Sequence, residues 1–327
     1  MGNMRRRDFV MLAACGALLR QRAARAQSVR VIGFLRSTSA VSSANLVASF
    51  RQGLTEQGFV EGQELVIQYA FADGEPNRLP GLAAELVRQQ PAAIVAGGNE
   101  ALVAARDATT QMPIVFALGD NPVKLGFVGS FNHPGGYITG VSFETTDIVR
   151  KRMQFLRELM PRATKVGYLM NLNDVGSEAE ARELEAAAQS DGVEVLISKA
   201  ASEAEIDAAF DLFARDRAET LVVGSGAFFF AQRERLAALA ARHAIPAIYN
   251  LRNFVTAGGL MSYGPNIADA YRLVGIYVGR ILRGVAPGDL PVMQPTKFEL
   301  AVNLKAAKAL GLDIPSSVLV RADDMIE

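Results

Sequence analysis

The feature that most limits how this chain can fold is a repeated order of elements. From Val29 to Leu118 short apolar runs alternate with amphipathic stretches, and the same order returns from Thr164 to Asn250. In the first copy VRVIGFL reads as a buried strand, RSTSAVSS as a polar loop, and NLVASFRQGLTEQGF as a helix stopped by Gly58 and Gly62. The strand ELVIQYAF, the helix RLPGLAAELVRQQ, the strand AAIVAGG, the helix NEALVAARDATTQ and the strand IVFAL follow. The second copy runs TKVGYLMN, DVGSEAEARELEAAAQSDG, VEVLISKA, EAEIDAAFDLFARDR, ETLVVGSG, AQRERLAALAARHA and AIYN. A proline, Pro113 or Pro246, leads into the last strand of each copy. Residue identity between the copies is weak, so the duplication is one of architecture.

Strands alternating with helices of this length form right-handed crossovers and a parallel sheet covered on both faces. The expected class is therefore α/β, with two doubly wound parallel-sheet lobes. Ligands in such sheets bind beyond the carboxyl ends of the strands, so two lobes facing each other by those ends enclose a cleft. After the second copy comes TAGGLMSYGP, then one helix, the Pro-rich VAPGDLPVMQP, the strand TKFELAVNL and the helix KAAKALGL. GGLMSY reads as a crossing back to the first lobe and PTKFELAVN as a return to the second. With GYITGVSFE this makes a three-crossing hinge. Gly258 and Gly259 suit either a hinge joint or an ordinary turn. The expected boundaries are a leader at 1–26, one lobe from 27–143 with 262–290, and the other from 144–261 with 291–327.

The leader reading rests on MRRRDFV before the apolar VMLAACGALL, with small residues at Ala24 and Ala26 flanking a cut before Gln27. This is the layout of an export signal, too short to remain as a membrane span, and Arg6-Arg7-Asp8-Phe9-Val10 resembles a twin-arginine signal. The expectation is a periplasmic protein without stable membrane insertion. Leu12-Ala13-Ala14-Cys15 also reads as a lipid-attachment box; a cleaved chain that discards Cys15 is the preferred reading.

Chemistry-bearing residues are scarce. One cysteine and two histidines, His133 and His243, give neither a zinc cluster nor an internal disulfide. With 34 basic and 34 acidic residues, no charge excess points to nucleic acid. No dinucleotide fingerprint follows the first strand, and no phosphate-binding G-x-x-x-x-G-K-[ST] occurs. The expectation is a non-enzyme without cofactor or metal. Candidate ligand contacts come from strand ends. In the first copy they are Ser37, Thr38 and Ser39, then Gly98 and Asn99, then Gly119 and Asp120. In the second they are Asn171 and Asn173, then Ser225 and Phe228, then Asn250, with Tyr263 in the expected hinge. Ser37 to Ser39 could equally cap the next helix, and Asp120 could equally form a turn before Asn121-Pro122. The polar mixture suits a small zwitterion or similar molecule.

The same segments carry a resemblance. RQGLTEQGFVEGQELVIQY, RLPGLAAELV, PIVFALGDNPVKLGFVGSFNHPGGYITGVSFE, RHAIPAIY, AGGLMSYGPNIADAYR and PTKFELAVNLKAAKALGL resemble the substrate-binding proteins of ABC transporters that include tryptophan- and tyrosine-type binders. The resemblance spans nearly the whole chain after the leader. It implies the type I periplasmic binding fold, closure on a small ligand, and delivery to an ABC permease driven by its ATPase. A ligand sensor facing a signalling partner is the alternative, and a neighbouring permease and ATPase gene pair would discriminate. The chain departs from the family pattern in the loops at Asn171-Leu172-Asn173-Asp174, Ser225-Gly226-Ala227 and His133-Pro134-Gly135-Gly136-Tyr137, so ligand identity does not carry over.

Overall fold

The structure is a computed structural model that describes residues 29–143, 148–174, 176–295 and 298–327. The expected leader with Cys15 lies outside these residues, as do Glu144, Thr296 and Lys297 of two expected crossings.

The first copy folds as β1 (Arg30–Arg36), α1 (Ala40–Glu56), β2 (Leu65–Phe71), α2 (Leu79–Arg88), β3 (Ala93–Gly97), α3 (Asn99–Ala108), β4 (Ile114–Leu118) and β5 (Ile138–Ser142). The strands form a parallel sheet in the order β2-β1-β3-β4-β5. After α4 (Val149–Leu159) the second copy gives β6 (Lys165–Asn171), α5 (Ser177–Ser190), β7 (Glu194–Ala200), α6 (Glu203–Arg215), β8 (Thr220–Val223), α7 (Ala227–Ala231), α8 (Arg233–Arg242), β9 (Ala247–Tyr249), α9 (Arg252–Thr256) and β10 (Met261–Pro265). The chain ends with α10 (Ile267–Leu282), β11 (Phe298–Asn303), α11 (Leu304–Ala309), α12 (Ser316–Leu319) and β12 (Asp324–Ile326). The second sheet runs β7-β6-β8-β9-β10-β11-β12, parallel except between β10 and β11. Its first five strands repeat the order of the first sheet, so the duplication holds at the level of topology.

One expectation is corrected. GGLMSY does not cross back; Met261–Pro265 pairs in parallel with β9 and becomes the fifth strand of the second copy, in the place that β5 takes in the first. Residues 262–265, assigned from sequence to the first lobe, therefore lie in the second sheet. The chain leaves that sheet only after Pro265, and α10 then packs on α1, β3, β4 and β5. Gly258 serves a turn. Its φ of 104° and the bonds from Gly258 N to the Val255 carbonyl and from Gly259 N to the Phe254 carbonyl close the end of α9.

Local chemistry fixes the helix starts. Ser39 Oγ accepts from Ser42 N at 3.2 Å at the head of α1, and Asn266 Oδ1 accepts from Asp269 N at 3.0 Å at the head of α10. Phe34, Phe50 and Phe116 are fully buried; removal from water contributes about 1.5–3 kcal/mol for each such side chain. One apolar cluster is continuous across both halves, joining Phe34, Val95 and Ala117 to Leu169, Val223 and Tyr249. Among the described residues, no helix is long and apolar enough to cross a membrane.

Candidate functional site

The carboxyl ends of β1, β3 and β4 face those of β6, β8 and β9 across a cavity with about 490 Å³ of space between the atoms, part of it open to solvent. Arg36, the last residue of β1, is buried. Its Nε donates to Thr38 Oγ1 at 2.8 Å and a terminal nitrogen donates to the Tyr271 hydroxyl. Its guanidinium lies 5.4 Å from the Tyr271 ring centre and 5.6 Å from that of Phe230, a cation–π arrangement that fixes its plane. Phe230 belongs to the second copy, so Arg36 spans the two halves.

Acidic groups occupy the same cavity. Asn99, at the head of α3, donates from Nδ2 to the Asp120 carboxylate and to Asp174 Oδ1, the latter at 3.0 Å. Asp174 also accepts from Gly176 N at 2.9 Å, an Asx turn leading into α5. Asp174 is half-buried and lines the cavity. Burial, then the charge of Asp120, pushes its carboxyl up to about 8, against the opposing effects of the Gly176 amide and Asn99. Glu100 is likewise raised, by burial, with Ser37 and Arg36 acting the other way. Asn99 and Asn250 line the cavity, and the Oδ1 of each is buried without a hydrogen-bond partner.

A buried network supports the wall from the second half. Glu180 of α5 accepts from Arg152 at 2.7 Å, from Ser225 N at 2.9 Å, from Ser225 Oγ at 3.1 Å and from the Tyr168 hydroxyl at 3.2 Å. Arg152 and Glu180 are 0% and 2% exposed, so each charge depends on the other. Burial lowers the Arg152 pKa from its usual value, with Glu180 opposing. Arg152 Nε also donates to the Tyr263 carbonyl at 3.0 Å, which links the network to β10. Gly226 follows with φ 119°, and a Cβ there would overlap Asn171 Nδ2 and approach Asp174 Oδ2 to 2.6 Å. Only glycine fits that turn.

Six of the residues expected from sequence line the cavity: Gly98, Asn99, Gly119, Asp120, Ser225 and Asn250. The others lie elsewhere. Ser39 caps α1, Thr38 shares a 2.6 Å hydrogen bond with the Ser43 hydroxyl, and Ser37 faces Glu100. Asn171 donates to the Ser225 carbonyl at 3.1 Å and Asn173 to that of Ala201 at 3.2 Å, so both brace loops behind the wall. Phe228 packs on Phe229, and it is Phe230 that reaches the cavity. Tyr263 sits between Phe155 and Phe298, at centroid distances of 5.1 and 6.1 Å, on the opposite side of the second sheet. Sequence reading passed over Arg36 and Asp174. Both had a signal: a charge ending an otherwise apolar strand, and an acid three residues past Asn171 in a loop that departs from the family pattern. Among the described residues no group of three or more His, Cys, Asp or Glu side chains could hold a metal ion.

This geometry has relatives. The chain is 24% identical over 263 residues to a tyrosine-binding protein of Clostridioides difficile, covering 80% of this chain and 75% of that protein. A solved domain from Streptococcus pneumonia in complex with L-Trp superposes with a TM-score of 0.84 at 23% identity, over 91% of this chain and all of that one. The ligand-free, open structure of a substrate binding protein with adhesive properties from Clostridium difficile superposes with a TM-score of 0.66 at 23% identity, over 91% and 99% of the two chains. These neighbours share the two-sheet periplasmic-binding fold. The family model described as ABC transporter substrate binding protein matches residues 29–326, and the chain belongs to that family.

Proposed function

We propose that this protein is the extracytoplasmic receptor of an ABC uptake transporter, shutting its two halves on a small polar ligand, an amino acid or similar, and presenting it to a membrane permease whose ATPase drives import. The carrying observation is the cavity between matched strand ends, with Asn99 of one half bonded to Asp174 of the other. Shutting follows if the ligand binds the shut arrangement better than the open one, since equal affinity shifts nothing. The ligand contacts in this reading are Arg36, Gly98, Asn99, Asp120, Asp174, Ser225, Phe230 and Asn250. The better superposition on the L-Trp complex than on the open, ligand-free relative supports a shut arrangement here. The match to a substrate-binding family supports a binding role. The basic-apolar-small leader supports export to the periplasm, and the passage of chain from Pro265 into α10 would serve as part of the hinge.

A thermal-shift screen of the chain from Gln27 onward, against amino acids, purines, sugars and aromatic acids, tests the reading. A ligand of the native state raises the melting temperature in proportion to its occupancy. Stabilisation by one chemical class, lost on Asn99→Ala, is expected; stabilisation by none of them counts against a small-solute receptor.

A further inference from the structure

The chain leaves the second sheet at Pro265 and enters α10 at Ile267, and both ends of this passage are tied to buried arginines. Before it, β10 pairs with β9 and β11 and so belongs to the second half. After it, α10 lies backbone to backbone on α1: a Cβ at Gly53 would overlap the Arg272 carbonyl, and one at Gly275 the Phe50 carbonyl. The helix is thus fixed to the first half. Asn266, in between, holds both sides. Its Oδ1 accepts from Asp269 N at 3.0 Å, and its Nδ2 donates to Glu299 of β11 at 3.4 Å. Ile267 lines the cavity, and Gly264 lies so near the Asn250 carbonyl that a Cβ there would overlap it.

The two arginines stand in matching places. In the second half, Arg152 donates from Nε to the Tyr263 carbonyl at 3.0 Å and from a terminal nitrogen to Glu180 at 2.7 Å. Glu180 takes both donors of Ser225 and Asn171 donates to its carbonyl, so the wall at Ser225 is held from behind. In the first half, Arg36 donates to the Tyr271 hydroxyl, and these two groups fill the space behind Gly97, where a Cβ would overlap both. Gly97-Gly98 and Ser225-Gly226 are equivalent turns of the two copies. Gly98 and Gly226 each precede a helix, with φ of 103° and 119°. Each arginine is also one step from a contact between the halves. Arg36 lies over the Phe230 ring, and Gly226 lies against Asp174, which accepts from Asn99. An apolar pair of the same volume would serve stability as well as Arg152 and Glu180. It could not hold Ser225 and Tyr263 at once.

We propose, on the reading of the chain as a receptor that shuts on a solute, that Arg152 and Arg36 are positioning residues that couple the cleft to the hinge. Each fastens one end of segment 263–271 to the wall of its own half, so turning the chain at Asn266 and setting the two walls are one motion. A solute that seats the walls thereby sets the hinge.

The test uses the unliganded chain from Gln27 onward with spin labels on Glu75→Cys and Ala204→Cys, exposed residues one in each half. Tyr271→Phe removes one fastening and keeps the ring. Arg152→Lys keeps a charge for Glu180 but not the fork that also reaches Tyr263. Each removes a hydrogen bond to a charged group, so the ratio of short to long label separations should fall about tenfold or more. Amide exchange should quicken by a similar factor across the cleft from each substitution, at Ser225 in Tyr271→Phe and at Gly98 in Arg152→Lys. Gly62→Ala, a loss of stability outside this segment, should change neither. Tyr271→Phe carries the test alone if Arg152→Lys fails to fold. A separation unchanged in either folded variant, or exchange that quickens only in the half carrying the substitution, would overturn the proposal. The receptor reading is decided separately by the thermal screen: if no solute stabilises the chain that reading fails, while the label separations still report whether the arginines govern the hinge.

Discussion

Asn99 and Asp174, 75 residues apart in sequence, are joined by a 3.0 Å hydrogen bond that ties the head of α3 in one half to the loop after β6 in the other. The same Asn99 nitrogen reaches Asp120, so one amide holds the two walls of the cavity and separates two acids. The position follows from the topology. A doubly wound sheet presents its loops and helix starts at one edge, and the duplicated copy turns the same edge toward it.

Asn99→Ala removes the shared donor and leaves Asp120 facing Asp174 without it. Hydrogen bonds to charged groups contribute about 1.5–3 kcal/mol, so ligand affinity should fall by roughly 10- to 100-fold. Isothermal titration with the ligand found by screening measures this, and unchanged affinity would place the ligand elsewhere.

Gly226→Ala should abolish binding while the protein stays folded, because a Cβ there collides with Asn171 and crowds Asp174. Gly62→Ala is the control. It has φ 85° but open space around the new methyl, so it should cost about 1–2 kcal/mol of stability and leave affinity alone. Paired melting and titration curves separate the two effects.

Glu180→Ala strands the buried Arg152 guanidinium. Breaking such a pair costs about 3–5 kcal/mol, which lowers the melting temperature by on the order of 10 °C in a chain of this size. The double variant Arg152→Met with Glu180→Leu should recover much of that loss, since no uncompensated charge remains. Calorimetry of the unliganded protein reads this directly.

Tyr263→Phe and Ser39→Ala test two positions that the structure removes from the site. The first leaves Arg152 its backbone carbonyl acceptor and should change affinity less than about twofold. The second removes the α1 cap, costing about 1 kcal/mol in melting experiments with affinity again unchanged.

Much of this was legible in the sequence because doubly wound sheets write their pattern locally. Buried runs such as Ala93–Gly97 and Ile114–Leu118, each followed by polar loops, located Gly98, Asn99, Gly119 and Asp120 at strand ends. Legibility failed where tertiary pairing decides. Met261–Pro265 has the same local pattern whether it crosses back or joins β9, and only the sheet's need for a fifth strand beside β9 settles it. Among Phe228, Phe229 and Phe230, the facing ring depends on the phase of the short α7, which three identical residues cannot reveal. Glu180 was invisible for a further reason. An acid in a helix such as SEAEARELEAAAQS looks like solvated surface until Arg152, 28 residues away, is seen to be buried against it.

The central claim is that two halves of like topology shut over a solute. Spin labels at Glu75→Cys and Ala204→Cys take exposed residues beyond the carboxyl ends of β2 and β7, one in each half; a chain starting at Gln27 carries no other cysteine. Pulsed electron paramagnetic resonance on that chain should show the label separation shift to a shorter, narrower distribution when the solute from the thermal screen is added. A distribution that stays the same at saturating solute would contradict the account.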